Sequence, residues 1–443
     1  MERTKIKDLK ENVGREVKIA GWVDVRRDMG KIIFLDLRDV TGKVQAVALP
    51  NHKEVMAAVE KVRSEWVVEI TGMVNKRPEK MVKVDALNGE LELEITGMEV
   101  LSSAKELPFN LGAEINLDTY LDNLPLMLRD PKHVATFKVQ AQITKSFRDF
   151  FVSQNFFEFQ APKLIGDDAE GGANSFDVKY FSHTAHLAQS PQLYKQIMVG
   201  VLERVFTIGN VFRAEKHSTS RHLNEYTSMD AEMGFIKDHH DVMNMENAFL
   251  EYLEKDLRQN CAEEFKLLNA EIPVVPKEIP KLTFREAQKL IAKETGEDYA
   301  EELDLRPEHE RWLCDYASKK YGSDFIFITN FPTAKRPFYT FRDEKDPTYT
   351  KGFDLLFRGV EITTGAQRIH DHDTLVASLE EKGLEPERFS YYLQAFKYGM
   401  PPHGGFGTGL ERLTQKLLGF ENVKEATLFP RDLNRIDKLL SVN

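Results

Sequence analysis

Val211-Phe212-Arg213-Ala214-Glu215, the polar run from Lys216 to Ser220, and Arg221-His222-Leu223-Asn224-Glu225-Tyr226 decide how this chain is read. The pattern is a strand, a mobile loop and a returning strand that can close over a small ligand, with Arg213 on a phosphate and Tyr226 offering a ring face. About two hundred residues further on, Gly405-Phe406-Gly407-Thr408-Gly409-Leu410-Glu411-Arg412 brings a second arginine to the start of a helix. Taken singly, the first stretch reads as a strand with a surface ion pair and the second as a turn. Together they describe two fixed guanidinium forks around a bent triphosphate and a metal ion, a nucleotide site without a P-loop.

Working outward, 443 residues suggest two or three domains and a sizeable core. No apolar run approaches the roughly 20 residues of a membrane span, and no basic-then-apolar leader stands at the front, so a cytoplasmic location without membrane attachment is expected. Cys261 and Cys314 are too few for a disulfide framework or a four-thiolate zinc site and are expected as buried thiols. The net charge of −11 argues against a nucleic-acid partner, yet residues 1–105 hold 19 Lys and Arg against 18 Asp and Glu. The acidity therefore lies in the body of the chain. A near-neutral front end is compatible with RNA contact without demanding it.

From Glu16 to about Val100 the pattern is strand-like: Val17 to Val23 alternates, Ile32 to Arg38 is apolar and β-branched, and Asp39-Val40-Thr41-Gly42 turns into Val44 to Val47. A helix over Lys53 to Arg63, a strand over Trp66 to Val74 and a last strand near Leu91 to Ile95 complete five strands with one helix between the third and fourth. That is the layout of a small OB barrel. Residues 106–133, with Pro108, Pro125 and Pro131, read as a hinge with little periodicity. Residues 134–443 then alternate strands and helices without a βαβ rhythm, which predicts an α+β domain on an antiparallel sheet flanked by helices. Helices are expected from about His133 to Phe151, Asp241 to Asn260, Thr283 to Gly296 and Gly409 to Leu418, and strands at Asn155 to Phe159, Phe325 to Thr329, Tyr339 to Phe341 and Gly352 to Ile362.

The order and spacing of these words resemble the class II aminoacyl-tRNA synthetases, and more narrowly the aspartyl-tRNA synthetases of compact archaeal or eukaryotic type, over nearly the whole chain. The resemblance implies an OB-fold anticodon-binding domain over 1–105 and a class II catalytic domain over 134–443. It also implies an activity: L-aspartate is joined to ATP as aspartyl-adenylate and passed to the 3′ end of tRNA(Asp). Charging of tRNA(Asn) as well stays open, as does the runner-up, an asparaginyl-tRNA synthetase. About 170 residues separate the two arginine motifs, without room for the extra domain of bacterial aspartyl enzymes.

By the same resemblance Arg213 contacts the α-phosphate and the substrate carboxylate, Glu215 the adenine side, and Arg221 and His222 the β- and γ-phosphates, with Tyr226 stacked on adenine and Leu223 also in the ATP site. Gly409, Leu410, Glu411 and Arg412 complete the ATP site. Glu361 is implied on Mg2+, with Thr364 standing where the family usually has serine; its extra methyl bears on the metal geometry. Gln192 and Lys195 sit three apart at a proline-initiated helix start. The family places Gln192 on the amino acid and Lys195 with Arg368 on its side-chain carboxylate, a doubly cationic pocket that would leave charges unmatched against an amide. Glu170, Asp230 and Glu232 are implied as acceptors for the substrate ammonium. Lys335-Arg336-Pro337-Phe338-Tyr339 also resembles the aspartyl branch.

In the front domain, Phe34 is implied to stack under the central anticodon uridine while Gln45 reads its edge, with Arg26 and Arg27 beside them; on composition alone Phe34 would be core. The family's dimer interface predicts a homodimer through the helix ending near Phe151 and the strand to Pro162. His370-Asp371-His372-Asp373, His183-Thr184-Ala185-His186 and His239-His240 mimic metal spacing, but adjacent ligands usually point apart and no structural zinc is expected from them.

Overall fold

A computed structural model of the chain describes residues 2–83, 88–166, 175–297 and 299–440 and divides it into two compact units, Met1–Asn110 and Leu111–Asn443. The first unit is a closed five-stranded barrel. Its strands are β1 (Glu16–Asp28), β2 (Ile33–Asp39), β3 (Gly42–Ala48), β4 (Val67–Lys76) and β5 (Leu91–Ser102), closed in the order β1-β2-β3-β5-β4. Period-two patterning explains the closure. In β2, Ile33, Leu35 and Leu37 are buried while Phe34, Asp36 and Arg38 are partly exposed, so one face fills the barrel and the other meets solvent. Gly21 allows the curvature: a Cβ there would stand 2.2 Å from Arg38 O on the neighbouring strand. The α-helix between β3 and β4, Lys53–Val59, ends four residues earlier than its pattern suggests.

The second unit is built on an eight-stranded sheet. Along the chain come β6 (Phe157–Glu158), β7 (Leu164–Ile165), β8 (Asp177–Tyr180), β9 (His183–Leu187), β10 (Arg204–Phe212), β11 (Glu225–Gly234), β12 (Lys281–Thr283), β13 (Phe325–Thr329), β14 (Gly352–Phe357), β15 (Val360–Gln367) and β16 (His403–Gly409). The large sheet runs β12-β13-β14-β15-β16-β11-β10-β6, with β7, β9 and β8 forming a small separate sheet. All inner pairs of the large sheet are antiparallel; only the edge pairs β12·β13 and β10·β6 are parallel. Helices Pro131–Ser153, His239–Asn260 and Leu410–Leu418 cover one face through a core in which Phe147, Phe151, Phe206, Phe249 and Phe406 are fully buried. Their rings meet tilted or edge-on, for instance Phe147 and Phe249 at 5.0 Å and 77°.

Several local expectations are corrected. The segment 106–133 contains two short helices, Leu117–Asp122, capped by the Asn116 side chain, and Leu124–Met127. Gly352 to Ile362 is two strands: Arg358 and Gly359, both at positive φ, make the turn, and β15 then runs unbroken to Gln367. Within β15, Gly365 leaves room for the Phe353 ring, 2.3 Å from where a Cβ would stand. Tyr339 to Phe341 forms only an isolated bridge, Thr340 to Arg368. Helices Pro307–Tyr321, His372–Glu381 and Ser390–Lys397 had no counterpart in the pattern. Both cysteines are free and buried. Among the described residues, no helix is long and apolar enough to cross a membrane.

Candidate active site

The sheet's open face carries a cavity of about 390 Å3. Arg213, Glu215, Arg221, His222, Leu223, Tyr226, Asp230, Glu361, Thr364, Arg368, Gly409, Glu411, Arg412, Gln192 and Lys195 all line it. Residues from both ends of a 220-residue span thus reach one cleft because β11 lies between β10 and β16, and β16 lies beside β15. Leu410 does not line it. It is buried in the hydrophobic core beneath, as the first apolar residue of its helix. Glu170 lies outside the described residues.

The glycine run is not a turn. It is strand β16, in register with β11 as Gly405 opposite Glu232 and Gly407 opposite Asp230. A Cβ on Gly405 would stand 2.1 Å from Glu232 Oε2, and one on Gly407 would stand 2.9 Å from Asp230 Oδ2. The glycines therefore vacate the space that two buried carboxylates fill.

Those carboxylates change the picture of the cationic end. Lys195 Nζ donates to Asp230 Oδ2 at 2.9 Å and to Phe406 O at 3.1 Å, and lies 3.2 Å from Glu232 Oε2. Arg368 Nε donates to Glu232 Oε1 at 2.9 Å, and its Nη2 to Gly405 O at 2.9 Å. Burial works against charge on Glu232, yet Arg368 and Lys195 together hold its carboxyl below the usual range. Glu232 has no solvent exposure and cannot accept a substrate ammonium directly; it is the shared counter-ion of the two cations. Asp230 lines the cavity, braced by Lys195 and by the Ser228 hydroxyl. Behind Lys195, Gln192 Nε2 donates to Gln196 Oε1 at 2.9 Å, which also accepts from the Tyr392 hydroxyl at 3.1 Å. Gln196 Nε2 lies 2.9 Å from His403 Nε2, and burial keeps His403 neutral by pushing it down to about 4.

At the other end, the Arg213 guanidinium lies 5.8 Å from the centre of the Tyr226 ring. Arg412 Nη1 donates to Glu361 O at 3.1 Å and stands 3.6 Å from Glu361 Oε1, and Thr364 Oγ1 donates to that same Oε1 at 3.0 Å. Asp354, opposite Thr364 across β14 and β15, is buried, with Oδ2 accepting from Arg336 at 2.6 Å while Oδ1 has no hydrogen-bond partner among the described residues. Burial pushes its carboxyl up to about 7, with Arg336 opposing and the Glu361 charge adding. Two carboxylates and a hydroxyl with an orphaned oxygen are an all-oxygen donor set that fits a hard divalent cation. Glu411 lines the cavity and braces β11: its two oxygens accept from Thr227 N at 3.1 and 3.0 Å, and burial pushes it up to about 7. His222 is lowered by burial and by nearby Arg412.

Two participants carried no sequence signal. Asp354 sits in an apolar strand, and Glu310 looks like an ordinary acid in the first turns of helix Pro307–Tyr321. The histidine groups do not build a metal centre in the cleft. Among the described residues the one potential ligand cluster is Asp238, His239 and His240, where Asp238 already caps its helix.

In the barrel, Phe34 is partly exposed and faces outward rather than into the core. Arg27, paired in register with Phe34, shares that face: it grips Asp36 with two bonds of 2.7 and 2.8 Å and reaches Gln45 Oε1 at 3.3 Å. Arg26 is directed elsewhere, to Val59 O at 3.2 Å and Asp28 at 2.9 Å. Of the two arginines expected beside Phe34 and Gln45, Arg27 stands there and Arg26 is turned away, the β1 bulge between Val23 and Val25 having shifted the alternation by one.

Known proteins carry the same combination. The model of class II tRNA synthetases (D, K and N) matches residues 116–433, and that of the OB-fold nucleic acid binding domain matches residues 17–101. The chain is 46% identical over 438 residues to an aspartate–tRNA(Asp/Asn) ligase of Thermus thermophilus and 44% identical over 445 residues to that of Deinococcus radiodurans, each covering 98% of this chain and 99% of the relative. An aspartate–tRNA(Asp) ligase of Pyrococcus abyssi is 41% identical, covering 96% of both. Among solved structures, asparaginyl-tRNA synthetase from Pyrococcus horikoshii with asparaginyl-adenylate superposes with a TM-score of 0.90 at 30% identity, covering 98% of this chain and 99% of that one.

Proposed function

The chain belongs to the class II tRNA synthetases of the D, K and N group, and from that premise we infer that it is an aspartate–tRNA ligase. The observation that carries the choice of amino acid is the buried end of the cleft, where Lys195 and Arg368 converge. A side-chain carboxylate entering there takes up donors from both cations. An amide brings no charge to the two cations and sets its own N–H beside their donors, while the nearby acceptors, Asp230 and Glu232, are already engaged by Lys195 and Arg368. The fold does not separate aspartate from asparagine enzymes; this chemistry does.

In the first step the α-carboxylate of aspartate attacks the α-phosphorus of ATP, forming the acyl-phosphate bond as the bond to the β-phosphate breaks and pyrophosphate leaves. The nucleophile is already an anion, so no general base is required. Arg213 binds the α-phosphate and the attacking carboxylate, Tyr226 stacks on the base beside Glu215, and Arg221, His222 and Arg412 hold the triphosphate end. Positioning and charge neutralisation carry the rate. A magnesium ion fits the oxygens of Glu361, Thr364 and Asp354, and when bound supplies charge neutralisation on the phosphate oxygens. In the second step the terminal 3′-hydroxyl of tRNA attacks the aspartyl carbonyl and AMP leaves. Phe34, Gln45 and Arg27 form the surface that stacks on and reads an anticodon base.

The two relatives of highest identity given above are aspartate–tRNA(Asp/Asn) ligases, which favours a second reading in which tRNA(Asn) is also an acceptor. Purified protein with ATP, radiolabelled aspartate or asparagine, and the two transcribed tRNAs tests both. Aspartate should label tRNA(Asp), and labelling of tRNA(Asn) establishes the broader specificity. Transfer of asparagine instead of aspartate would reverse the assignment. Lys195→Ala should raise KM for aspartate far more than KM for ATP; an equal rise in both makes the lysine structural.

A further inference from the structure

Glu310 lies outside both arginine motifs, yet it joins them. It is buried, and both carboxylate oxygens accept from Arg221 Nη2, at 2.9 and 2.7 Å. Its Oε2 also accepts from the backbone N–H of Glu361 at 3.0 Å. One side chain on helix Pro307–Tyr321 thus holds the loop arginine of the β10–β11 hairpin and the strand that carries Glu361. Through Glu361 O and Oε1 the same strand reaches Arg412.

A long arginine on a polar loop has many rotamers, and a helix-borne carboxylate removes most of them before a ligand arrives. The Glu310 contacts occupy only Nη2 of Arg221. Among the described residues its buried Nε has no hydrogen-bond partner, and the Arg221 side chain lines the cavity while Glu310 holds it from behind. Glu310 itself does not line the cavity.

We propose that Glu310 is a positioning residue for ATP: it sets the Arg221 guanidinium and the Glu361 backbone in the relative placement that the β- and γ-phosphates require. The proposal rests on the synthetase reading, and its test separates the two. Wild-type enzyme is first assayed for aspartate-dependent exchange of pyrophosphate into ATP, and absence of exchange there rejects the synthetase reading itself. Glu310→Gln preserves shape and removes charge; Glu310→Ala removes the contacts.

With Glu310 as a positioning residue, both variants raise KM for ATP, roughly tenfold for Glu310→Ala. KM for aspartate and inhibition by AMP, which lacks the terminal phosphates, stay within about twofold of wild type. Arg221→Ala gives a similar rise, and the double variant Glu310→Ala with Arg221→Ala is little worse than Arg221→Ala alone, because both act through one interaction. Additive effects overturn the proposal, as does an equal loss for aspartate and AMP. Thermal melting of Glu310→Gln close to wild type keeps the comparison interpretable if Glu310→Ala folds poorly.

Discussion

Gly405 illustrates how a residue with no side chain specifies a pocket. Its missing Cβ makes room for Glu232, and Glu232 in turn holds Lys195 and Arg368. Gly405→Ala should therefore destabilise the fold by about 1–3 kcal/mol, the usual cost of forcing an extra methyl into a filled site. It should also weaken aspartate binding. Urea denaturation and KM for aspartate check the two effects, and wild-type values for both would show that the strand yields freely. Arg213, Tyr226, Glu361 and Arg412 could be placed from the sequence because their chemistry and order are distinctive. Glu232 could not be placed correctly, because its partners depend on the β11–β16 register, which no local pattern encodes. Glu310 was silent for the same reason: its partners are 89 and 51 residues away.

At the level of elements, helix His239–Asn260 packs against the back of the sheet and carries Glu246 into it, buried and with Oε2 lacking a hydrogen-bond partner among the described residues. Burial pushes this carboxyl up to about 8, eased by Thr363 and aggravated by Asp354. The folded state therefore binds a proton that the unfolded chain releases above an ordinary glutamate pKa of about 4.3. Stability contributed by protonated Glu246 is complete below that value and is lost as pH rises through about 8. Glu246→Gln should flatten this slope and raise Tm relative to wild type at pH 8 more than at pH 5, read by thermal melting at both. Long periodic helices such as this one, and the barrel strands with their alternation, were legible. The turn at Arg358-Gly359 was not, since an arginine at positive φ carries no turn signature and Thr363-Thr364-Gly365 imitates one.

For the whole molecule, the large sheet ends in β6, a two-residue edge strand with Phe157 exposed. Val152, at the end of the preceding helix, is exposed as well. An unpaired edge with apolar side chains around it is a surface that soluble chains ordinarily cover. A homodimer through this edge is expected, measured as twice the chain mass in sedimentation at micromolar concentration, and Phe157→Asp should shift the protein toward monomer. A wild-type monomer under those conditions would remove the dimer from the description. The closed arithmetic of Lys195, Arg368, Asp230 and Glu232 has its own consequence for traffic into the cleft. With two positive and two negative groups cancelling, the inner chamber projects little field toward bulk solvent. Aspartate is not drawn in but trades places with internal partners, so adding potassium chloride from about 0.05 to 0.5 M should leave its KM nearly flat, whereas the anionic nucleotide, bound at the more open cationic end, responds to the ionic medium.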